Sequence, residues 1–152
     1  MWRKFVVASL QAVDLPRSGA AVKLLGMIAA HESRFFTYAK QVRGPALGFW
    51  QMEPSTGYRE VQRYVKARSE RFAKKVVRQI DREAEWLVFD PVWACQCARI
   101  YLLSKPEGLP EEEDTEGLGQ YAKVYWNTLA GSATVENYVE AWEKYCVEES
   151  DG

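Results

Sequence analysis

The stretch "AAHESRFFTYAKQVRGPALGFWQMEPST", Ala29 to Thr56, decides how the rest of the chain is read. An apolar helical run ends there on Glu32, beside the only histidine of the chain, His31. A glycine-rich aromatic turn follows, and a second glutamate, Glu53, stands directly before Pro54. Upstream, Val22, Leu25, Ile28 or Ala29, and Glu32 share one face at helical spacing, with Ser18 placed to cap the segment. The Glu32 carboxyl is therefore expected to point where the helix buries its apolar side. Partial desolvation and the negative end of the helix dipole both favour a protonated acid at such a place. That is the form a general acid needs in order to protonate a glycosidic oxygen. The alternative is a glutamate that reaches solvent, or pairs with Arg34 or Arg43, where the helix ends.

Beyond Glu32 the helical pattern breaks. Gly44, Pro45 and Gly48 are turn signals, and residues 37–51 are the only place suited to a short β-hairpin. Gly44 and Gly48 permit a tight turn and let a sugar chain approach the backbone. Phe49 and Trp50 either offer a flat apolar surface to pyranose faces, or one of them is buried under the turn. Gln51 either fixes the loop through its amide or binds an N-acetyl group. Pro54, Ser55 and Thr56 can start a basic helical region whose apolar positions are Val61, Tyr64, Val65, Phe72, Val76, Val77 and Ile80.

The remaining segments read mainly as helix. The N-terminal run "MWRKFVVASLQAV" fits an amphipathic first helix better than a secretory leader, because Ser9 and Gln11 interrupt it and no small-residue cleavage site follows. Asp90-Pro91 supplies an N-cap followed by proline at the first helical position. That helix is expected to stop before Lys105-Pro106. Asp114 and Thr115 can cap a further helix reaching Tyr125, and Thr134 caps a last one carrying Tyr138, Val139, Trp142 and Tyr145. With no repeat or linker, residues 1–152 are expected to form one mainly α domain, in the α+β class if the hairpin forms.

Composition narrows the function. A chain of 152 residues can bury roughly 68–70% of its unfolded surface, so no disulfide or metal staple is needed. Cys95, Cys97 and Cys146 are an odd number and read as reduced, buried thiols. One histidine argues against a histidine-rich metal site, and no cofactor is expected. No segment approaches the length of a membrane span. Basic residues prevail from Arg59 to Arg82 and acids from Glu107 onward. The basic face suits an anionic polymer or is simply solvated. Nucleic-acid binding rests on it alone, without a helix-turn-helix or zinc pattern. A serine triad lacks both a nucleophile elbow and a spare histidine.

"HESRF" followed by "GPALGFWQMEPST" resembles the signature of lysozyme-like lytic transglycosylases and related phage and goose-type lysozymes. Their pattern is a catalytic Glu-Ser, a short loop, then Gly-Ala-x-Gly-Leu-Met-Gln-x-x-Pro-x-Thr. Glu32-Ser33 matches the first part; Gly44, Ala46 in a shifted setting, Gly48, Gln51, Pro54 and Thr56 match the second. Phe49-Trp50 replaces Leu-Met. The family's late Tyr-Asn-glycine block has an imperfect counterpart in "VYWNTLAG", Val124 to Gly131, where Tyr125 or Trp126 takes the tyrosine place and Asn127 the asparagine. The motifs cover about a third of the chain.

The resemblance implies a lysozyme-like fold and cleavage of the β-1,4 bond between N-acetylmuramic acid and N-acetylglucosamine in peptidoglycan. Glu32 would be the general acid, Tyr125 would orient it or the oxocarbenium-like centre, and Ser33 and Gln51 would position the site. Gly48, Phe49, Trp50 and Asn127 would contribute to sugar binding. Glu53 bears on the reaction type. Lytic transglycosylases have an apolar residue there, and the substrate's own hydroxyl closes a 1,6-anhydro ring. Goose-type lysozymes are similar to this chain in carrying an acid, which can hold an attacking water for inverting hydrolysis. The two carboxyls are then roughly 6.5–9.5 Å apart. Alternatively, Glu53 only stabilises the helix beginning at Pro54.

The size, basic helices and lack of a leader suggest a phage or prophage product. It would be made in the host cytoplasm and would reach the wall after holin release, as an endolysin, or from the virion. Peptidoglycan strands and other virion proteins are the expected partners, without nucleic acid or stable membrane insertion. The competing expectation is a catalytically inactive lysozyme-like structural or glycan-binding component of a phage virion.

Overall fold

Two helices buried on all sides organise the molecule. The computed structural model describes residues 1–34, 44–128 and 131–147. Helix α1 (Trp2–Gln11) leads through a short loop to α2 (Gly19–Glu32). Further along the chain come α3 (Arg59–Ala67), α4 (Lys74–Gln79), α5 (Trp86–Phe89) and α6 (Pro91–Leu103). The chain closes with α7 (Thr115–Tyr121) and α8 (Val135–Tyr145). The architecture is mainly α.

Helix α2 starts where expected, with the Ser18 hydroxyl accepting from Ala21 N–H at 3.2 Å. The expectation of one buried face is corrected: every residue from Ala21 to Ala30 is buried. This follows from its surroundings, since α1, α6, α7 and α8 all pack on it. A helix enclosed this way has no solvent face to mark with polar residues. The exception, Lys23, is satisfied by the Glu112 carbonyl and the Thr115 hydroxyl, both at 2.8 Å. Its ammonium also lies 5.1 Å from the Trp142 ring centre.

Helix α6 is the second buried element. Asp90 caps it as the sequence implies, its Oδ1 accepting from Trp93 N–H at 3.0 Å, with Pro91 in the first turn. The polar residues it buries are tied to the opening of the chain. Gln96 donates to the Ser9 carbonyl at 2.9 Å, and Arg99 donates to the Pro16 carbonyl at 2.7 Å. The last helix has the expected Thr134 cap, completed by Asn137 into a reciprocal capping box.

Three local expectations change. The basic segment is not one helix: a 3-10 turn at Ser69–Arg71 separates α3 from α4. The helix starting at Thr115 gives way after Tyr121 to a π-helical turn, Ala122–Asn127. A second π-turn, Pro54–Tyr58, precedes α3. Among the described residues, the hairpin is reduced to one antiparallel pair, Leu47 with Met52, joined by two 2.9 Å backbone bonds. Residues 37–43 of the expected hairpin lie outside the described residues.

Candidate active site

Glu32 is the last residue of α2 and lines a cleft of about 400 Å³. Its side chain keeps 19% exposure, enough to be reached by a ligand while most of it is enclosed. A carboxylate at a helix C-terminus faces the negative end of the dipole, so it needs a donor to hold it. Tyr138 on α8 supplies one: its hydroxyl donates to Glu32 Oε1 at 2.7 Å. Burial, then the charge of the Glu32 carboxylate and the bond to it, push the Tyr138 phenol far above its ordinary value. The phenol therefore stays protonated and remains a donor. His31 completes the cluster, with Nδ1 at 3.4 Å from Oε1 and its ring 4.5 Å from that of Tyr138.

The turn after α2 explains the glycine signal. Gly48 has φ +78°, and a Cβ there would stand 2.7 Å from the Leu87 carbonyl oxygen. A side chain is thus excluded both by backbone conformation and by packing. Gln51 also adopts positive φ, and its amide donates to the Gly48 carbonyl at 2.8 Å. The same residue lines the cleft, so its loop-fixing alternative is realised at the wall of the site.

Glu53 lines the same cleft and is exposed. It is the N-cap residue of the π-turn but makes no side-chain cap bond. Its carboxylate accepts from the Thr56 hydroxyl at 3.4 Å. Asn127 also lines the cleft, its Oδ1 accepting from Lys123 Nζ at 2.8 Å. Lys123 reaches on to the Gly131 carbonyl at 2.7 Å and so braces this wall. Two aromatic rings complete the lining: Trp126 from the second π-turn and Tyr101 from α6, edge to face at 5.2 Å. None of the described lining residues is a lysine or arginine.

Five expected site residues are placed elsewhere. Ser33 is fully buried, and its hydroxyl donates to the Ala29 carbonyl at 2.8 Å, closing the end of α2. Trp50 is 1% exposed and donates from its indole to the Leu25 carbonyl at 3.0 Å. A ring buried this way contributes about 3–5 kcal/mol against truncation to alanine, and it offers no face to a sugar. Phe49 is half-buried against the core, and neither it nor Gly48 lines the cleft. Tyr125 is also absent from the lining; it packs on Tyr121 with ring centres 4.6 Å apart. Trp126 rather than Tyr125 faces the cleft, because the π-turn changes which side chains point inward.

Sequence reasoning missed Tyr138 and Tyr101 as site residues. Tyr138 was legible only as part of the apolar face of α8. The remaining signal was chemical: a buried tyrosine hydroxyl needs a partner. No protein-family model matches the chain, and no curated protein or solved structure matches it.

Proposed function

We propose that the chain is a lysozyme-like muramidase that cleaves the β-1,4 bond between N-acetylmuramic acid and N-acetylglucosamine. The observation that carries this reading is Glu32: a mostly enclosed carboxyl held by the Tyr138 hydroxyl at the wall of a cleft that a second acid, Glu53, also lines. An enclosed acid and an exposed one on the same cleft, with Trp126 and Tyr101 as apolar rings for pyranose faces, suit glycosidic cleavage of an uncharged sugar backbone.

In this mechanism Glu32 transfers its proton to the glycosidic oxygen as the bond to the anomeric carbon breaks. Glu53 takes a proton from water, which adds to that carbon and leaves a reducing end. The water route is preferred to anhydro-ring closure because Glu53 is on the cleft and is not consumed in capping its own turn. The phage setting and the endolysin or virion role accompany this reading.

Clearing of purified cell walls tests it. Glu32→Gln keeps the shape of the side chain and should lower the rate by at least about a hundredfold, the usual contribution of a general acid. Equal clearing by both proteins, or by neither, would sink the Glu32 mechanism; retained wall binding without any clearing would favour a non-catalytic glycan-binding component. Mass spectra of the released fragments should show reducing ends. Anhydro ends would remove Glu53 from the mechanism.

A further inference from the structure

A second cavity of about 330 Å³ adjoins the cleft and differs from it in charge. Thr56 and Tyr101 line both, so the two are neighbours across these side chains. The second is lined by Arg59 and Arg63, one turn apart on α3, and by Lys105 just beyond α6. The Lys105 ammonium sits 3.8 Å from the centre of the Tyr101 ring, a cation–π contact that fixes it at the boundary between the cavities.

Some of the neighbouring cations in the basic segment are engaged elsewhere. Lys66 pairs with Asp81, Arg82 pairs with Asp90, and Arg68 stacks on Tyr64. Among the described residues, Arg59, Arg63 and Lys105 have no carboxylate within ion-pair distance. The basic face is thus partly internal structure, while Arg59 and Arg63 meet Lys105 at one cavity beside the cleft. Glu60 lines that cavity too, which disfavours a continuous polyphosphate but can meet a free amine.

We infer that this cavity is a subsite for the carboxylate-bearing peptide stem of N-acetylmuramic acid, with Arg59, Arg63 and Lys105 receiving its carboxylates. The inference rests on the glycan reading of the cleft and adds a substrate class to it: strands that still carry their peptides. The stem branches from the sugar ring itself, so a strand in the cleft can deliver it across the Tyr101 boundary. Arginine suits this task because its planar fork can take a carboxylate through two hydrogen bonds.

The test compares kcat/KM on three soluble oligosaccharides: with acidic stems, with stems whose carboxylates are amidated, and with stems removed by an amidase. The wild type should prefer the acidic-stem substrate by about tenfold, a reasonable return from partly exposed charges. The preference should shrink in about 0.5 M salt. The double variant Arg59→Gln/Arg63→Gln should lose most of it, while Arg59→Lys/Arg63→Lys should keep part of it. Both positions are exposed on α3, and thermal unfolding checks that the variants are folded. Equal rates on acidic and amidated stems, or an unchanged preference in the glutamine variant, would overturn the subsite and leave Glu32 cleavage standing. Failure of the wild type on all three substrates would overturn both.

Discussion

Removing one oxygen from Tyr138 separates its two roles. The ring is fully buried in the core, whereas the hydroxyl, among the described residues, serves Glu32 alone. Tyr138→Phe keeps the packing and withdraws a hydrogen bond to a carboxylate, a contribution of about 1.5–3 kcal/mol. If Glu32 must be held at one angle to reach the glycosidic oxygen, kcat should fall on the order of ten- to a hundredfold with little change in KM. Steady-state kinetics on a soluble oligosaccharide would check this; a KM effect with unchanged kcat would make Tyr138 a packing residue only. Glu32 was visible in the sequence because a lone acid at the end of an apolar face is anomalous. Its partner was not, since a tyrosine within an apolar helical face is ordinary. Trp50 and Ser33 illustrate the opposite error. They sit inside a motif, yet their polar atoms are spent on the α2 carbonyls of Leu25 and Ala29.

Helix α6 carries Tyr101 to the cleft, and its start depends on Asp90. One carboxylate oxygen caps Trp93 N–H and the other accepts from Arg82 at 2.9 Å. Burial alone would push the Asp90 carboxyl up, but the Trp93 amide and the Arg82 guanidinium outweigh it and hold the group below its ordinary 3.8. A carboxyl lowered in the folded state adds stability at pH above its unfolded value, and that stability is lost as pH falls through the folded value. Asp90→Ala should therefore cost about 1–2 kcal/mol at neutral pH. Asp90→Asn keeps a capping oxygen and should cost less. For both, the difference from wild type in urea unfolding should shrink as pH drops below about 4. A difference independent of pH would show that the charge contributes nothing. Caps of this kind were the most legible elements: Ser18, Asp90, Asp114 and Thr134 all accept the backbone N–H expected of them. The π-turns were not legible, because no residue type marks the extra residue they insert.

The core joins α1, α2, α6 and α8 around residues whose chain positions are far apart. That is why fold class was readable but the arrangement was not. Periodicity reports that a helix has a buried side, yet α2 and α6 are buried all round and carry no such contrast. The basic segment is likewise ambiguous in sequence, because nothing there separates Lys66 and Arg82, which pair internally, from Arg59 and Arg63, which line a cavity. The three thiols report on how firmly this core holds. Cys95 and Cys97 are fully buried on α6, and Cys146 directs its sulfur toward the Gly26 carbonyl of α2 at 3.8 Å. Burial pushes the Cys95 thiol up to about 12 and Cys97 well above its ordinary value, so neither is a thiolate at neutral pH. Access and ionisation both oppose reaction. A disulfide-exchange reagent should thus label none of the three quickly in the native protein and all three once it is unfolded. The native rate should follow the opening of the core, rising as urea lowers stability. Binding of an oligosaccharide that favours the folded state should slow it further. Rapid labelling of one thiol without unfolding would mean that its helix parts from the core locally. If that thiol were Cys146, the same opening would loosen α8 and the Tyr138 contact on which Glu32 depends.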